Sequence, residues 1–170
     1  IRHKGTYRGV QVSSVQAFHD QEQGTRFGGS IDMKLIEVDG IRICHCGDIG
    51  ETIDDDERQR LLKNLDFLII PVGGYYTVDA ELAFAVTQQL KPKWVIPCHY
   101  KTLSCGFDIA PVSPFLDKFE HVVQCHHPYF EADDLHATQT PGCITMPMKY
   151  DRATTQVVGT YRRKSPTPQI

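Results

Sequence analysis

In Ile41-Arg42-Ile43-Cys44-His45-Cys46-Gly47-Asp48-Ile49-Gly50 an apolar, β-prone run stops abruptly at Gly-Asp-x-Gly. A strand that ends this way holds its carboxylate on a rigid edge, the place where α/β folds handle ligands and metals. Taken alone, Gly-Asp is a common turn. Upstream, Gly28 to Val38 reads as a strand and Asp39-Gly40 as a tight hairpin turn, so that Ile41 to Cys46 is its antiparallel partner. Further upstream, Gly9 to Phe18 alternates partially and predicts a strand leading to His19.

Downstream, Asp54-Asp55-Asp56-Glu57 opens a helix expected to run to Leu65, with acidic residues placed to meet the helix dipole. Asp66 to Val72 is a continuous apolar run closed by Gly73-Gly74, the pattern of a strand covered on both faces. Thr77 is the expected cap of the next helix, whose apolar positions include Leu82, Val86 and Leu90. Lys93 to Cys98 reads as another buried strand ending at His99. A short helix within Val112 to Phe119, a short strand from His121 to Cys125 and a hairpin of Cys143 to Tyr150 with Thr155 to Tyr161 complete the pattern. Strands alternating with helices predict a layered α/β architecture.

At 170 residues, 41% hydrophobic and 23% charged, the chain has the size and composition of one soluble domain, expected over 1–164 with a tail at 165–170. A net charge of −3 gives no footprint for nucleic acid, and no apolar run approaches the roughly 20 residues of a membrane span. The six cysteines lie mostly in apolar strand-like runs and read as reduced thiols of a cytoplasmic protein. Because the chain opens on Ile1 and not Met, a processed start stays open.

His19, Asp48 and His99 each follow a strand-like run, tens of residues apart, so only the fold can bring them together. Two imidazoles and a carboxylate suit zinc or a similar divalent ion, which lowers the pKa of bound water toward ~7. Each residue also has a plain reading: an exposed loop histidine, a turn former, and a satisfied histidine at a strand end.

Three segments together carry a family likeness: Gly47-Asp48-Ile49-Gly50; Asp66 to Val78, with Pro71-Val72-Gly73-Gly74-Tyr75-Tyr76-Thr77; and Leu90 to Thr102, with Pro97-Cys98-His99-Tyr100. In this order they resemble the metallo-β-lactamase superfamily, most closely the metal-dependent hydrolase branch that includes ascorbate-6-phosphate lactonase-like proteins. The resemblance implies an αββα sandwich of which this chain supplies mainly the C-terminal half. It makes His19 and His99 metal ligands and Asp48 the carboxylate that bridges two metals. It also implies zinc, with manganese or iron as alternatives, and a metal-held hydroxide acting on an ester, lactone, amide or phosphodiester of a small molecule, with catalysis resting on Asp48 and His99. The family's His-x-His-x-Asp-His segment is absent from these residues and is expected upstream. A partial fold exposes an apolar face, so a homo-oligomer or association with a missing N-terminal half is expected. The alternative is a non-catalytic scaffold or interaction domain.

Tyr75, Tyr76 and Thr77 follow a flexible Gly-Gly and are candidate substrate contacts, with Thr77 as helix cap the plainer reading. Cys44, His45 and Cys46, with Cys98, are a candidate thiolate site, but alternation puts Cys44 and Cys46 on one strand face and His45 on the other. Cys125-His126-His127 is a second cluster and a candidate substrate contact, although adjacent residues on a strand diverge and a polar loop follows.

Overall fold

Alternating apolar residues in the first half of the chain make hairpins, and continuous apolar runs in the second half make parallel strands. The computed structural model describes residues 4–125 and 141–146. Four strands run antiparallel to their neighbours: β1 (Lys4–Tyr7), β2 (Val10–Phe18), β3 (Ser30–Val38) and β4 (Ile41–His45). The β3–β4 turn is the expected one. Asp39 and Gly40 both have positive φ, 49° and 81°, the left-handed pair that suits the twist of a two-residue hairpin. Strand β3 starts at Ser30 and not Gly28, because Gly28 and Gly29, at φ 112° and 96°, still belong to the preceding turn.

After β4 the pairing changes to parallel, through α1 (Asp56–Leu61), β5 (Phe67–Pro71), α2 (Ala80–Leu90) and β6 (Trp94–Cys98). Then follow α3 (Ser113–Leu116), β7 (Val122–Gln124) and β8 (Gly142–Thr145), giving one sheet ordered β1-β2-β3-β4-β5-β6-β8-β7. Helix α1 is shorter than predicted. Its cap is Asp55, which accepts from the Arg58 N–H at 2.7 Å, and the helix stops ahead of Asn64, held at φ 56°. Leu62 and Leu65, inside the span predicted for the helix, are buried beyond its end. The cap of α2 is Asp79, accepting from the Leu82 N–H at 2.9 Å, and not Thr77, whose hydroxyl donates to the Val78 carbonyl. A carboxylate at that position also meets the helix dipole, which a hydroxyl does not.

The main core lies on the face where Cys44, Leu68, Ile70 and Val95 meet Val86, Leu90 and Phe115 from the helices. Side chains of the next parity point the other way. There Phe67, Trp94 and Ile144 are buried among Ile41, Ile43 and Ile96, which are only half-buried, and among the described residues no helix residue packs on that face. The continuous apolar run of β5 is buried on both faces, as its pattern predicts, with Ile69 half-buried; among the described residues the helices supply that cover on the face of Leu68 and Ile70. The predicted strand Thr155 to Tyr161, His126, His127 and the 165–170 tail lie outside the described residues.

Asp66 ties three strands together. Its carboxylate accepts from the Arg42 N–H at 2.8 Å and pairs with Lys93 Nζ at 2.7 Å. Burial alone pushes its carboxyl up, but Lys93 and the Arg42 amide outweigh it and hold the group below the ordinary carboxylate value. A lowered folded pKa contributes stability that is fully present above ~3.9 and is lost as pH falls through the folded value. Asp66→Asn is accordingly expected to lose about 1 kcal/mol in urea unfolding at pH 7, with a gap from the parent chain that narrows below about pH 4 and then closes.

Candidate metal centre

Strand direction places the three predicted ligands on one edge. Strands β2, β4 and β6 run the same way in the sheet, and His19, Asp48 and His99 follow their C-terminal ends. The Gly73-Gly74 turn after β5 reaches the same edge. His19 Nε2 lies 3.9 Å from Asp48 Oδ2, with the His19 side chain 21% exposed and the Asp48 side chain 57%. The fold thus brings together two residues that the sequence separates widely.

Close backbone approach holds the histidine loops in place. The Gly50 N–H donates to the Phe18 carbonyl at 2.9 Å, so closely that a β-carbon at Gly50 would stand 2.1 Å from the His19 carbonyl oxygen. On the other side, a β-carbon at Gly73 would stand 2.3 Å from the His99 oxygen. His99 itself has φ 50°, an uncommon conformation for a side chain-bearing residue and one that recurs at functional sites. The loop after His19 is built around Asp20, 5% exposed, whose two oxygens accept from the N–H groups of Glu22, Gly24, Arg26 and Phe27 at 2.8–3.0 Å. Burial raises the Asp20 carboxyl, and these four amides more than offset that, holding it below its ordinary value. Asp20 therefore shapes the loop, with both oxygens engaged by the backbone.

The donor chemistry fits a borderline divalent ion. His19 Nδ1 and His99 Nδ1 are both buried without a hydrogen-bond partner, an arrangement that native structures avoid unless something else satisfies the atom. The fit is to part of a centre: among the described residues, no group of three or more His, Cys, Asp or Glu side chains is gathered tightly enough to hold an ion. The thiolate alternative finds less support. Cys44 and Cys46 are fully buried under the helices while His45 is exposed, its Nδ1 accepting from the Gly47 N–H at 3.0 Å. The Cys98 thiol is pushed up to about 12 by burial and by the Asp48 charge, and hydrogen bonding to Cys44 and burial raise Cys46 as well. Burial thus favours the thiol over the thiolate at both residues.

Next to His19 a cavity of about 370 Å³ is lined by residues that include Arg26, Phe27, Tyr75, Tyr76 and Thr77. The sequence reading named the last three but not Arg26 or Phe27, and it named Gly50 and Gly73 as turn residues without their packing against His19 and His99. An Arg-Phe pair ahead of Gly28-Gly29 was the available signal for the first two, and only spatial proximity reveals the packing of the glycines.

The family described as the beta-lactamase superfamily domain matches residues 2–99, more than half of the chain. The chain belongs to the metallo-β-lactamase superfamily. A metal-dependent hydrolase of Thermococcus onnurineus is 33% identical over 94 residues, covering 55% of this chain and 42% of its own length. One from Thermoplasma acidophilum is 32% identical over 108 residues, 64% of this chain and 46% of its own. The superfamily chain described here thus spans less than half the length of these curated relatives. A protein of Thermotoga maritima, solved at 2.00 Å and named as a Zn-dependent hydrolase of the same superfamily, is 30% identical with a TM-score of 0.70. That likeness covers 85% of this chain and 68% of the other, and it supports the superfamily's α/β fold over most of the described residues.

Proposed function

We propose that this chain carries part of the metal centre of a metal-dependent hydrolase that cleaves an ester, lactone, amide or phosphodiester bond in a small molecule. His19, Asp48 and His99 are the donors it contributes, zinc is the expected ion ahead of manganese or iron, and the remaining donors come from outside the described residues. The observation that carries this reading is the His19–Asp48 pair, 3.9 Å apart on the strand edge where His99 also lies, with a buried orphan nitrogen on each imidazole. A divalent ion held there supplies a Lewis acid that activates water near neutral pH. Asp48, exposed at the loop tip, can offer one oxygen toward His19 and the other outward, and the rigid strand ends keep the two imidazoles in place.

The first test is the metal content of the chain purified without added metal or chelator, by elemental analysis. About one or more ions per chain, removed by a chelator and restored by zinc, is the expected result. No retained ion, with no uptake of added zinc, would overturn the reading for this chain. One observation favours the non-catalytic rival: the described residues alone gather no group of three donors.

The half-buried face of Ile41, Ile43 and Ile96 supports a homo-oligomer or association with a further half of the fold. Sedimentation is expected to show mass rising with concentration, and a concentration-independent monomer would argue against self-association. Six free thiols, three of them fully buried, favour a reducing compartment such as the cytoplasm. Among the described residues no helix is long and apolar enough to cross a membrane.

A further inference from the structure

Four aromatic rings from three separate loops meet beside the candidate centre. Phe27 comes from the loop after β2, Tyr75 and Tyr76 from the loop after β5, and Phe107 from the loop after β6. The chain of contacts begins at the metal donor His19, whose ring centroid lies 6.4 Å from that of Phe27. Phe27 meets Tyr76 edge-on at 6.3 Å, Tyr76 meets Tyr75 at 4.4 Å, and Tyr76 meets Phe107 at 6.3 Å. These rings are not core. Tyr75 and Phe107 are 65% and 64% exposed, Tyr76 and Phe27 39% and 37%.

Single exposed apolar side chains are ordinary, but a contiguous set of rings beside a cavity calls for a reason. Three further observations point to a ligand. The cavity of about 370 Å³ that Phe27, Tyr75 and Tyr76 line is of small-molecule size and opens beside His19. Tyr75 is held at φ 65°, directly after Gly74 at 68°, a backbone state that a tyrosine rarely adopts and that presents its ring at the surface. Phe27 is fixed in advance from its other side, since the Arg26 guanidinium stacks over its ring at 4.8 Å. Rings with a negative face and a positive edge, already in edge-to-face contact, match an incoming planar ring better than a saturated one of equal size.

We propose that Phe27, Tyr75, Tyr76 and Phe107 form a recognition wall for a planar aromatic group, so that the substrate carries such a ring next to the bond to be cleaved. The word substrate rests on the hydrolase reading above; binding of the ring does not. Arg26 and Asp20 are positioning residues here, the first through its stack on Phe27 and the second through the loop amides it holds.

The test uses the whole 170-residue chain and the neutral probe 2-naphthamide, with its saturated decalin counterpart as comparison, read by ligand-observed saturation-transfer NMR. The naphthyl probe is expected to bind at least about threefold more tightly than the saturated one. Tyr76→Leu, which removes the ring touching three others, should weaken binding about tenfold, while Tyr76→Phe retains it. Phe107→Leu should produce a smaller loss, and as Phe107 is 64% exposed its replacement leaves the fold intact. Equal binding of the two probes, or no response to Tyr76→Leu, would each overturn the wall. A chain that holds no metal yet still binds naphthamide through Tyr76 would sink the hydrolase reading and leave the wall standing; a chain that holds metal but ignores the probe would do the reverse.

Discussion

Alanine at Gly50 is expected to destabilise the chain by about 3 kcal/mol or more and to abolish any ion binding at the same time. The added methyl would stand 2.1 Å from the His19 carbonyl oxygen, 2.3 Å from its carbonyl carbon and 2.6 Å from the Asp20 nitrogen. All three are backbone atoms, so no flexible side chain can yield. Gly50 is buried, and its N–H is already committed to Phe18, so relief requires the loops after β2 and β4 to separate. That movement pulls His19 from Asp48. Gly73→Ala should act alike from the other side, through the His99 oxygen at 2.3 Å. Gly106→Ala is the control, because its methyl meets nothing within 4 Å and should change stability by no more than about 0.5 kcal/mol. Urea midpoints of the three variants check the ordering; a Gly50→Ala chain as stable as Gly106→Ala would show that the two loops are not in contact.

Asp48→Ala is expected to separate binding from folding. Its side chain is 57% exposed and is paired across 3.9 Å to His19, so its loss should leave the urea midpoint nearly unchanged. Retention of zinc, by contrast, should fall on the order of 100-fold, since even groups that merely support metal ligands are worth 10–100-fold. Replacing Cys44 and Cys46 by serine should have the opposite pattern: both thiols are fully buried, so hydroxyls there cost stability while leaving the ion in place. Elemental analysis after dialysis reads the ion, and urea unfolding reads the fold. Zinc that survives Asp48→Ala and leaves with the two cysteines would transfer the site to the thiols and refute the role assigned to Asp48.

Much of this could be read from residue order, and the reason is local. The Asp39-Gly40 turn, the strand from Ile41 to His45 and the apolar runs of β5 and β6 depend on φ preferences and period-two patterning within a few residues. The errors were local competitions settled by geometry. Thr77 lost the cap of α2 to Asp79, two residues on, because both residue types suit an N-cap and only the chain path decides which one aligns with the Leu82 amide. The apolar run of β5 is buried on both faces as its pattern promised, but what covers each face is not local: among the described residues the helices share the face of Leu68 and Ile70.

Residue types at the ends of strand-like runs were enough to mark His19, Asp48 and His99 as candidate donors, since chemistry of that kind is written in the side chain itself. Their common edge was not written there. It follows from β2, β4 and β6 sharing one direction in a sheet whose pairing switches from antiparallel to parallel at β4, a long-range property of the hydrogen-bond ladder. The same holds for Gly50 against His19, Gly73 against His99, and the rings of Phe27, Tyr76 and Phe107: each pair is distant in sequence and adjacent in space, so only the packed sheet edge could bring it together.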